Sequence, residues 1–272
     1  GLNGLSWLPF ILPSIRKATF YAIDLPGHGC SYEVEPQSKA GFLVDYAECI
    51  GRLVEILSGK PYKLVGFSIG AYASLKFISD KISLLPQKYL HIDHTPFPQT
   101  TQGWNGQMQS EILNLFDQLQ RLVVENNSDV ANCGFSDLPD NIKNKYFETI
   151  EALNDFSITN KFLGSALRRL YQLPLLGHRL HERVAWPWGL NIIESYHSGK
   201  FDLRPCLRDI RVPTLLLVGQ NNELFSPEGM KYMNQEMPSS RLVNFDTNHD
   251  IPLAAPFKLI KIMSNFIARE EL

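Results

Sequence analysis

The chain has 272 residues, of which 44% are hydrophobic and 20% are charged, and its formal net charge is −2. This composition is typical of a globular protein with one domain, or with one domain and a large insertion. The chain has no basic run and no uninterrupted apolar stretch of the ~18 residues that a spanning helix needs. We therefore expect neither nucleic acid binding nor a transmembrane segment.

The cysteines and histidines form no recognisable metal motif. The four cysteines stand at positions 30, 49, 133 and 206, too far apart for a Cys-x-x-Cys pair, and are expected to be buried free thiols. His178 and His181 are three residues apart, but no constellation of cysteines or carboxylates accompanies them. We expect no metal, no cofactor and a reducing, cytoplasmic location.

The first third of the chain alternates between predicted strands and helices. Residues 17–25 are rich in β-branched and aromatic side chains, which predicts a strand. Residues 38–59 carry apolar side chains at spacings of three and four, which predicts an amphipathic helix closed by Gly59. The elements that follow are a strand at 62–67, a helix at 69–79 and a strand at 88–93.

The segment 97–205 interrupts this alternation. Its periodic stretches predict helices at 107–126, 142–153 and 159–173, without strands between them. The alternation then resumes with a strand at 212–219, a helix at 226–237, a strand at 240–245 and a helix at 256–270. Ser226 is the predicted N-cap of the helix at 226–237, with Pro227 at its first position.

Alternating strands and helices predict a mostly parallel sheet covered by helices on both faces. Ligands of such sheets bind beyond the carboxyl ends of the strands. Ser68, the loop after Gly219 and His249 each follow a predicted strand, and Asp93 ends one. We therefore expect these four positions to meet at one edge of the sheet.

Several stretches together resemble the α/β-hydrolase fold family across nearly the whole chain. Residues 21–31 (YAIDLPGHGCS) resemble the family's Asp-x-Pro-Gly-x-Gly-x-Ser segment, and 66–70 (GFSIG) resemble its nucleophile turn. Residues 212–228 resemble the strand and loop that carry the acid, and 248–256 resemble the histidine loop. The resemblance implies a hydrolase core in residues 1–96 and 206–272, with a helical cap at 97–205.

The resemblance also implies roles for single residues. Ser68 is the expected nucleophile, and His249 is the expected base, since a serine hydroxyl is a poor nucleophile until a neighbouring base takes its proton. The backbone N–H groups of Ile69 and Leu2 are the expected oxyanion donors. A serine at position 68 argues against haloalkane dehalogenases and epoxide hydrolases, which use an aspartate. The family's strand before the Leu2 loop would lie upstream of residue 1, so we expect the natural chain to extend further.

Several residues are candidates for the partner that orients His249. Counting three residues from Gly219 leads to Asn222, while counting four back from Pro227 leads to Glu223. An amide carries no charge to stabilise an imidazolium, so Glu223 is the preferred prediction and Asn222 would mean a degraded site. Asp93 is an alternative, because some lipases take their acid from that strand. Asp246 and Asp250 complete the set of candidates.

We predict a serine hydrolase that cleaves a small to medium hydrophobic carboxylic ester, lactone or thioester through an acyl-enzyme. One alternative is an acyltransferase, or a cofactor-free haloperoxidase-like activity, on the same triad. An alternative of another class is a ligand-binding or sensing homologue that has lost turnover. Aromatic side chains are the candidate lining of an apolar pocket, although each could equally belong to the packed interior. They are Trp7, Phe97, Trp104, Trp186, Trp188 and Phe225.

Overall fold

A parallel sheet of four strands organises the described part of the chain. The computed structural model describes residues 3–57, 60–126, 130, 133–160 and 185–269. The strands are β1 (Lys63–Phe67), β2 (Lys88–Ile92), β3 (Thr214–Gly219) and β4 (Ser240–Phe245). They lie in the order β1-β2-β3-β4, and every neighbouring pair is parallel. The carboxyl ends of all four strands therefore lie along one edge.

Helices cover both faces of this sheet. In chain order the α-helices of the described residues are α1 (Leu8–Ile11), α2 (Phe42–Ile56), α3 (Ile69–Asp80), α4 (Ser110–Glu125), α5 (Asp140–Ser157), α6 (Trp186–Ser198), α7 (Glu228–Glu236), α8 (Ile251–Ala254) and α9 (Pro256–Ala268). One core contains buried side chains of α2, α3 and α7, among them Phe42, Tyr72 and Met233. The opposite core contains Leu259 and Met263 of α9. The predicted fold class is thereby confirmed.

The segment between β2 and β3 is helical in its described part, as predicted. Helices α4 and α5 pack against each other, and α6 packs against both α4 and α2. Most of the predicted helix at 159–173 lies outside the described residues, as does Gly59. Helix α6 was not predicted, because Pro187 and Gly189 interrupt its apolar pattern. The assignment of 97–205 to a cap and the boundaries of the two core parts stay predictions.

Three local predictions are wrong. Residues 19–25 form no strand, since no described strand lies beside them to pair with their backbone. Helix α7 begins at Glu228 with Pro227 as its N-cap, and Ser226 makes no side-chain cap. All four cysteines are free thiols, but none is buried: Cys30 is exposed, and Cys49, Cys133 and Cys206 are half-buried. Within the described residues, no helix combines the length and apolarity that crossing a membrane requires.

Candidate active site

Ser68 occupies a sharp bend between β1 and α3. Its backbone has φ 53° and ψ −126°, a conformation that costs a non-glycine residue free energy and that raises its side chain above the sheet edge. Gly66 makes the bend possible, because a Cβ atom there would lie 2.6 Å from the carbonyl oxygen of Gly70. Among the described atoms, a Cβ at Gly70 would meet nothing within 4 Å. Steric crowding therefore explains the first glycine of the motif and leaves the second unexplained.

His249 lies in the loop between β4 and α8 and points at the serine. Its Nε2 atom is 2.8 Å from Ser68 Oγ, and the residue is 6% exposed. The imidazole stacks on Phe67 with ring centroids 5.2 Å apart and meets the edge of Phe225 at 5.4 Å. The two aromatic rings constrain the plane of the imidazole, and Phe67 covers one of its faces.

Asp93, at the end of β2, faces the other nitrogen of the imidazole. Its Oδ2 atom lies 3.1 Å from His249 Nδ1. This corrects the preferred prediction, which gave the position to Glu223. Glu223 is exposed, whereas the preceding residue, Asn222, is buried and turned towards Asp93. The reason is local: Asn222 Oδ1 binds the backbone N–H of Leu224, which bends the loop so that residue 222 faces inward.

The carboxylate of Asp93 is buried but well supplied with donors. The residue is 1% exposed. Its Oδ1 accepts the Gly219 N–H at 3.1 Å, and its Oδ2 accepts Asn222 Nδ2 at 2.8 Å as well as the imidazole. Burial raises the pKa of Asp93 above its usual value, and the interactions with His249, Gly219 and Asn222 offset part of this rise.

These contacts define the tautomer of His249. A carboxylate accepts hydrogen bonds, so His249 Nδ1 carries the hydrogen that points at Asp93. In the neutral ring, Nε2 then has the free lone pair and accepts a hydrogen bond from the Ser68 hydroxyl. This is the arrangement in which an imidazole can remove a proton from serine.

The N–H of Ile69 is the described candidate for an oxyanion donor. Ile69 is the first residue of α3, and the neighbouring N–H groups of Ala71 and Tyr72 both donate to the Ser68 carbonyl. Within the described part of the chain, no acceptor binds the Ile69 N–H. A free N–H at the positive end of a helix suits a developing negative charge. Leu2, the other predicted donor, lies outside the described residues.

Of the predicted pocket residues, Phe225 contacts His249, while the others make their aromatic contacts elsewhere in the described structure. Trp188 stacks on Tyr46 with centroids 5.2 Å apart. The Trp104 indole donates to the Phe97 carbonyl at 2.9 Å. Trp7 contacts Phe10, and Trp186 contacts Phe135 and Tyr146. Trp104 meets Tyr232, and the Arg204 guanidinium lies over the ring of Phe97.

Two contributors to the site were missed by the sequence analysis. Phe67 is the variable residue between Gly66 and Ser68, and nothing in the sequence indicates that its ring stacks on His249. Asn248 Oδ1 accepts the N–H groups of Glu223 at 2.9 Å and of His249 at 2.7 Å, and so joins the two loops. Gly219 lets these loops approach, because a Cβ there would lie 2.2 Å from the Asn248 carbonyl oxygen.

The described residues contain no group of three or more histidine, cysteine, aspartate or glutamate side chains that could hold a metal ion. His178 and His181 lie outside the described residues. The polar groups at the sheet edge are instead a hydroxyl, an imidazole and a carboxylate in line. This set is suited to proton transfer and nucleophilic attack.

The chain is similar to known hydrolases over most of its length. A pimeloyl-[acyl-carrier protein] methyl ester esterase from Nitrosospira multiformis is 23% identical over 248 residues, which cover 90% of this chain and 83% of that protein. An alpha/beta hydrolase enzyme from a Medee basin deep-sea metagenome library superposes with a TM-score of 0.72 at 17% identity, covering 100% of this chain and 87% of that one.

An esterase from Exiguobacterium antarcticum superposes with a TM-score of 0.68 at 16% identity, covering 98% of this chain and 88% of that one. These two solved structures share the fold described above. Residues 1–256 match the family model of the alpha/beta hydrolase fold. The chain therefore belongs to the alpha/beta hydrolase fold family.

Proposed function

We propose that this protein is a serine hydrolase that cleaves a small to medium hydrophobic carboxylic ester, lactone or thioester. The observation that carries the proposal is the line of contacts from Ser68 Oγ to His249 Nε2, at 2.8 Å, and from His249 Nδ1 to Asp93 Oδ2, at 3.1 Å. A serine, a base and an acid in this geometry form the machinery of acyl transfer on many unrelated folds.

In the proposed reaction, Ser68 Oγ attacks the substrate carbonyl while His249 Nε2 takes the hydroxyl proton. The Asp93 carboxylate stabilises the imidazolium that forms, and the Ile69 N–H donates to the developing oxyanion. His249 then gives its proton to the leaving alcohol or thiol, which leaves an acyl group on Ser68. A water molecule, deprotonated by the same imidazole, releases the acid and restores the serine.

The name of the Nitrosospira relative suggests a first specific substrate. That protein is a methyl ester esterase of a pimeloyl group on an acyl carrier protein. A methyl ester at the end of a medium-length acyl chain is therefore the substrate class that we propose to test beside simple aryl esters.

The alternative of a non-catalytic homologue rested on the asparagine at position 222. Asp93 supports the catalytic proposal, because it supplies the carboxylate that this asparagine lacks. A binding protein without turnover would have no need for a strained serine or for a buried carboxylate, each of which costs stability.

The direct test is labelling by a fluorophosphonate probe, which reacts with activated serines. We expect the probe to label the wild type, and Ser68→Ala to abolish labelling. Ser79→Ala, on the helix α3 that begins directly after Ser68, is the matched control and should be labelled like the wild type. A panel of p-nitrophenyl esters of increasing acyl length should then show stoichiometric release of the free acid. Equal labelling of Ser68→Ala would refute the assignment of the nucleophile.

A further inference from the structure

Asn222 is an uncharged polar residue that is buried beside the candidate triad. The residue is 8% exposed. Its Oδ1 accepts the backbone N–H groups of Leu224 at 2.8 Å and of Phe225 at 2.9 Å. Because these donors occupy both lone pairs of the amide oxygen, the amide nitrogen is the end that faces Asp93. The fold of the loop thus determines the orientation of the amide.

The amide nitrogen meets both partners of the acid–base pair. Asn222 Nδ2 donates to Asp93 Oδ2 at 2.8 Å and lies 3.5 Å from His249 Nδ1. We infer that Asn222 is a positioning residue, whose amide holds Asp93 as an ionised carboxylate aimed at His249. The inference deepens the proposed function and rests on it where kinetics are concerned.

No described cation performs this task. From β2 and its end, His91 and His94 are buried, and burial lowers the pKa of both, to about 4 for His91, so they are neutral at neutral pH. In the loop after β3, Glu223 is exposed. In the histidine loop, Asp250 is a carboxylate that accepts hydrogen bonds from the segment after α5. Besides the imidazole itself, the described donors to the Asp93 carboxylate, the Gly219 N–H and Asn222 Nδ2, are therefore neutral.

An aspartate at position 222 would keep the acceptor oxygen and lose the donor. Its second oxygen would face Asp93 Oδ2 at roughly the distance of the present hydrogen bond, and two carboxylates that close share one proton. The additional negative charge would also make the whole site bind a proton at higher pH. The asparagine avoids both effects and preserves the shape of the loop.

The test compares Asn222→Asp with Asn221→Asp, which makes the same chemical change at the neighbouring, exposed residue. Infrared spectroscopy of the full chain follows the stretch of a protonated buried carboxyl, assigned through Asp93→Asn. We expect this band at neutral pH in Asn222→Asp, and its absence in the wild type and in Asn221→Asp. The acidic limb of kcat/KM against pH should move upward by about one unit or more in Asn222→Asp. In Asn222→Ala the titration of Asp93 should move in the same direction by less.

The outcomes separate this inference from the proposed function. The infrared measurement needs no substrate. If the wild type turns over no ester but the carboxyl titration moves as expected, the proposed function fails and the role of Asn222 stands. If esters are hydrolysed and Asn222→Asp shows neither the band nor the moved limb, the inference is overturned. Should Asn222→Asp fail to fold by circular dichroism, an unmoved Asp93 titration in Asn222→Ala overturns it equally.

Discussion

The carboxylate that faces His249 belongs to the end of strand β2 rather than to the loop after β3. The N–H of Asp93 still donates to the Leu217 carbonyl of β3 at 2.9 Å, so its backbone is held by the sheet. Its φ of 55° then turns the chain away, a conformation that aspartate tolerates better than most residues. The candidate acid is therefore placed by the backbone of the sheet at the end of β2, and Ser68 by the neighbouring strand β1.

Replacing the two candidate acids one at a time tests this placement. Asp93→Asn should lower kcat by about 10²–10⁴-fold with little change in KM, because the charge matters mainly when the imidazolium forms. Glu223→Gln removes the same charge from an exposed side chain and should change kcat by less than about threefold. Steady-state kinetics with a p-nitrophenyl ester measure both. If Asp93→Asn has a near-wild-type kcat while Glu223→Gln is strongly impaired, the triad acid is Glu223, in the loop after β3.

The sequence predicted that Ser68 and His249 meet more reliably than which residue faces His249 Nδ1. Strand periodicity and the glycine-flanked serine are local signals, and they placed Ser68 and His249 at one edge of the sheet. Counting from Gly219 also led to residue 222, which does face the site. The choice of Glu223 failed because charge separated it only from Asn222, and counting along the loop from Pro227 said nothing about Asp93. Which of two adjacent loop residues turns inward depends on hydrogen bonds to the Asn222 amide, which no sequence period reports.

At the scale of elements, the end of α5 is fastened to the histidine loop. Asp250 N–H donates to the Ser157 carbonyl at 3.1 Å, and Asp250 Oδ2 accepts the Thr159 N–H at 3.0 Å. The Thr159 hydroxyl donates to Asp250 Oδ1 and accepts the Asn248 N–H at 2.8 Å. This clamp, formed by residues 157–159 and 248–250, ties the helical segment between β2 and β3 to the loop that carries His249.

Loosening the clamp should therefore slow the reaction. Thr159→Val removes the hydroxyl but keeps the shape, and it leaves the Asn248 N–H without its acceptor. We expect kcat to fall about tenfold, because small displacements of a catalytic group are costly. Thr159→Ser should restore the activity. Thr149→Val, which makes the same change at a buried position within α5, is the control. Wild-type kcat in Thr159→Val would show that the loop holds its position without the clamp.

The predicted helices within the described residues and the four predicted strands that became β1–β4 are present, whereas the predicted strand at 17–25 is absent. Helices α2, α4 and α9 carry their buried apolar side chains at helical spacing, which is a local property, whereas α3 buries the consecutive residues Ala71 to Leu75. Residues 17–25 have strand-like composition, but that composition reflects how side chains pack on a sheet and does not supply a partner strand. In the structure Tyr21 is 57% exposed and Ile23 is 37% exposed, as expected of a segment without such a partner.

At the scale of the whole molecule, burial of histidines couples stability to pH. His28, His91 and His94 are held neutral, and burial is the largest cause of their lowered pKa values. For His28 and His91 the pKa is about 4, against 6.5 for an ordinary histidine. The hydrogen bonds of His94 also require the neutral ring. Its Nδ1 donates to the Thr95 carbonyl at 2.7 Å, and its Nε2 accepts from the Tyr196 hydroxyl at 3.0 Å.

The sign of the effect follows from proton counting. Between pH 6.5 and about 4, these histidines bind protons in the unfolded chain but stay neutral in the folded chain. The stabilisation that the neutral histidines contribute should therefore be complete above pH 6.5, and the free energy of unfolding should fall as the pH drops towards 4. The steepest slope is about 4 kcal/mol per pH unit if all three histidines take part. Asp93 acts in the opposite direction, because its pKa is raised, but it is one group against three.

Urea unfolding between neutral pH and pH 4 measures this slope, and a histidine substitution tests its origin. His91→Gln should unfold at lower urea concentration at every pH, since its packing is disturbed. Its slope should nevertheless be shallower than that of the wild type by about 1.4 kcal/mol per pH unit, the contribution of one proton. His197→Gln, at a half-exposed position on α6, should keep the wild-type slope. A wild-type stability that stays level or rises towards pH 4 would mean that the folded chain accepts these protons, and the buried histidines would then not be the source of acid sensitivity.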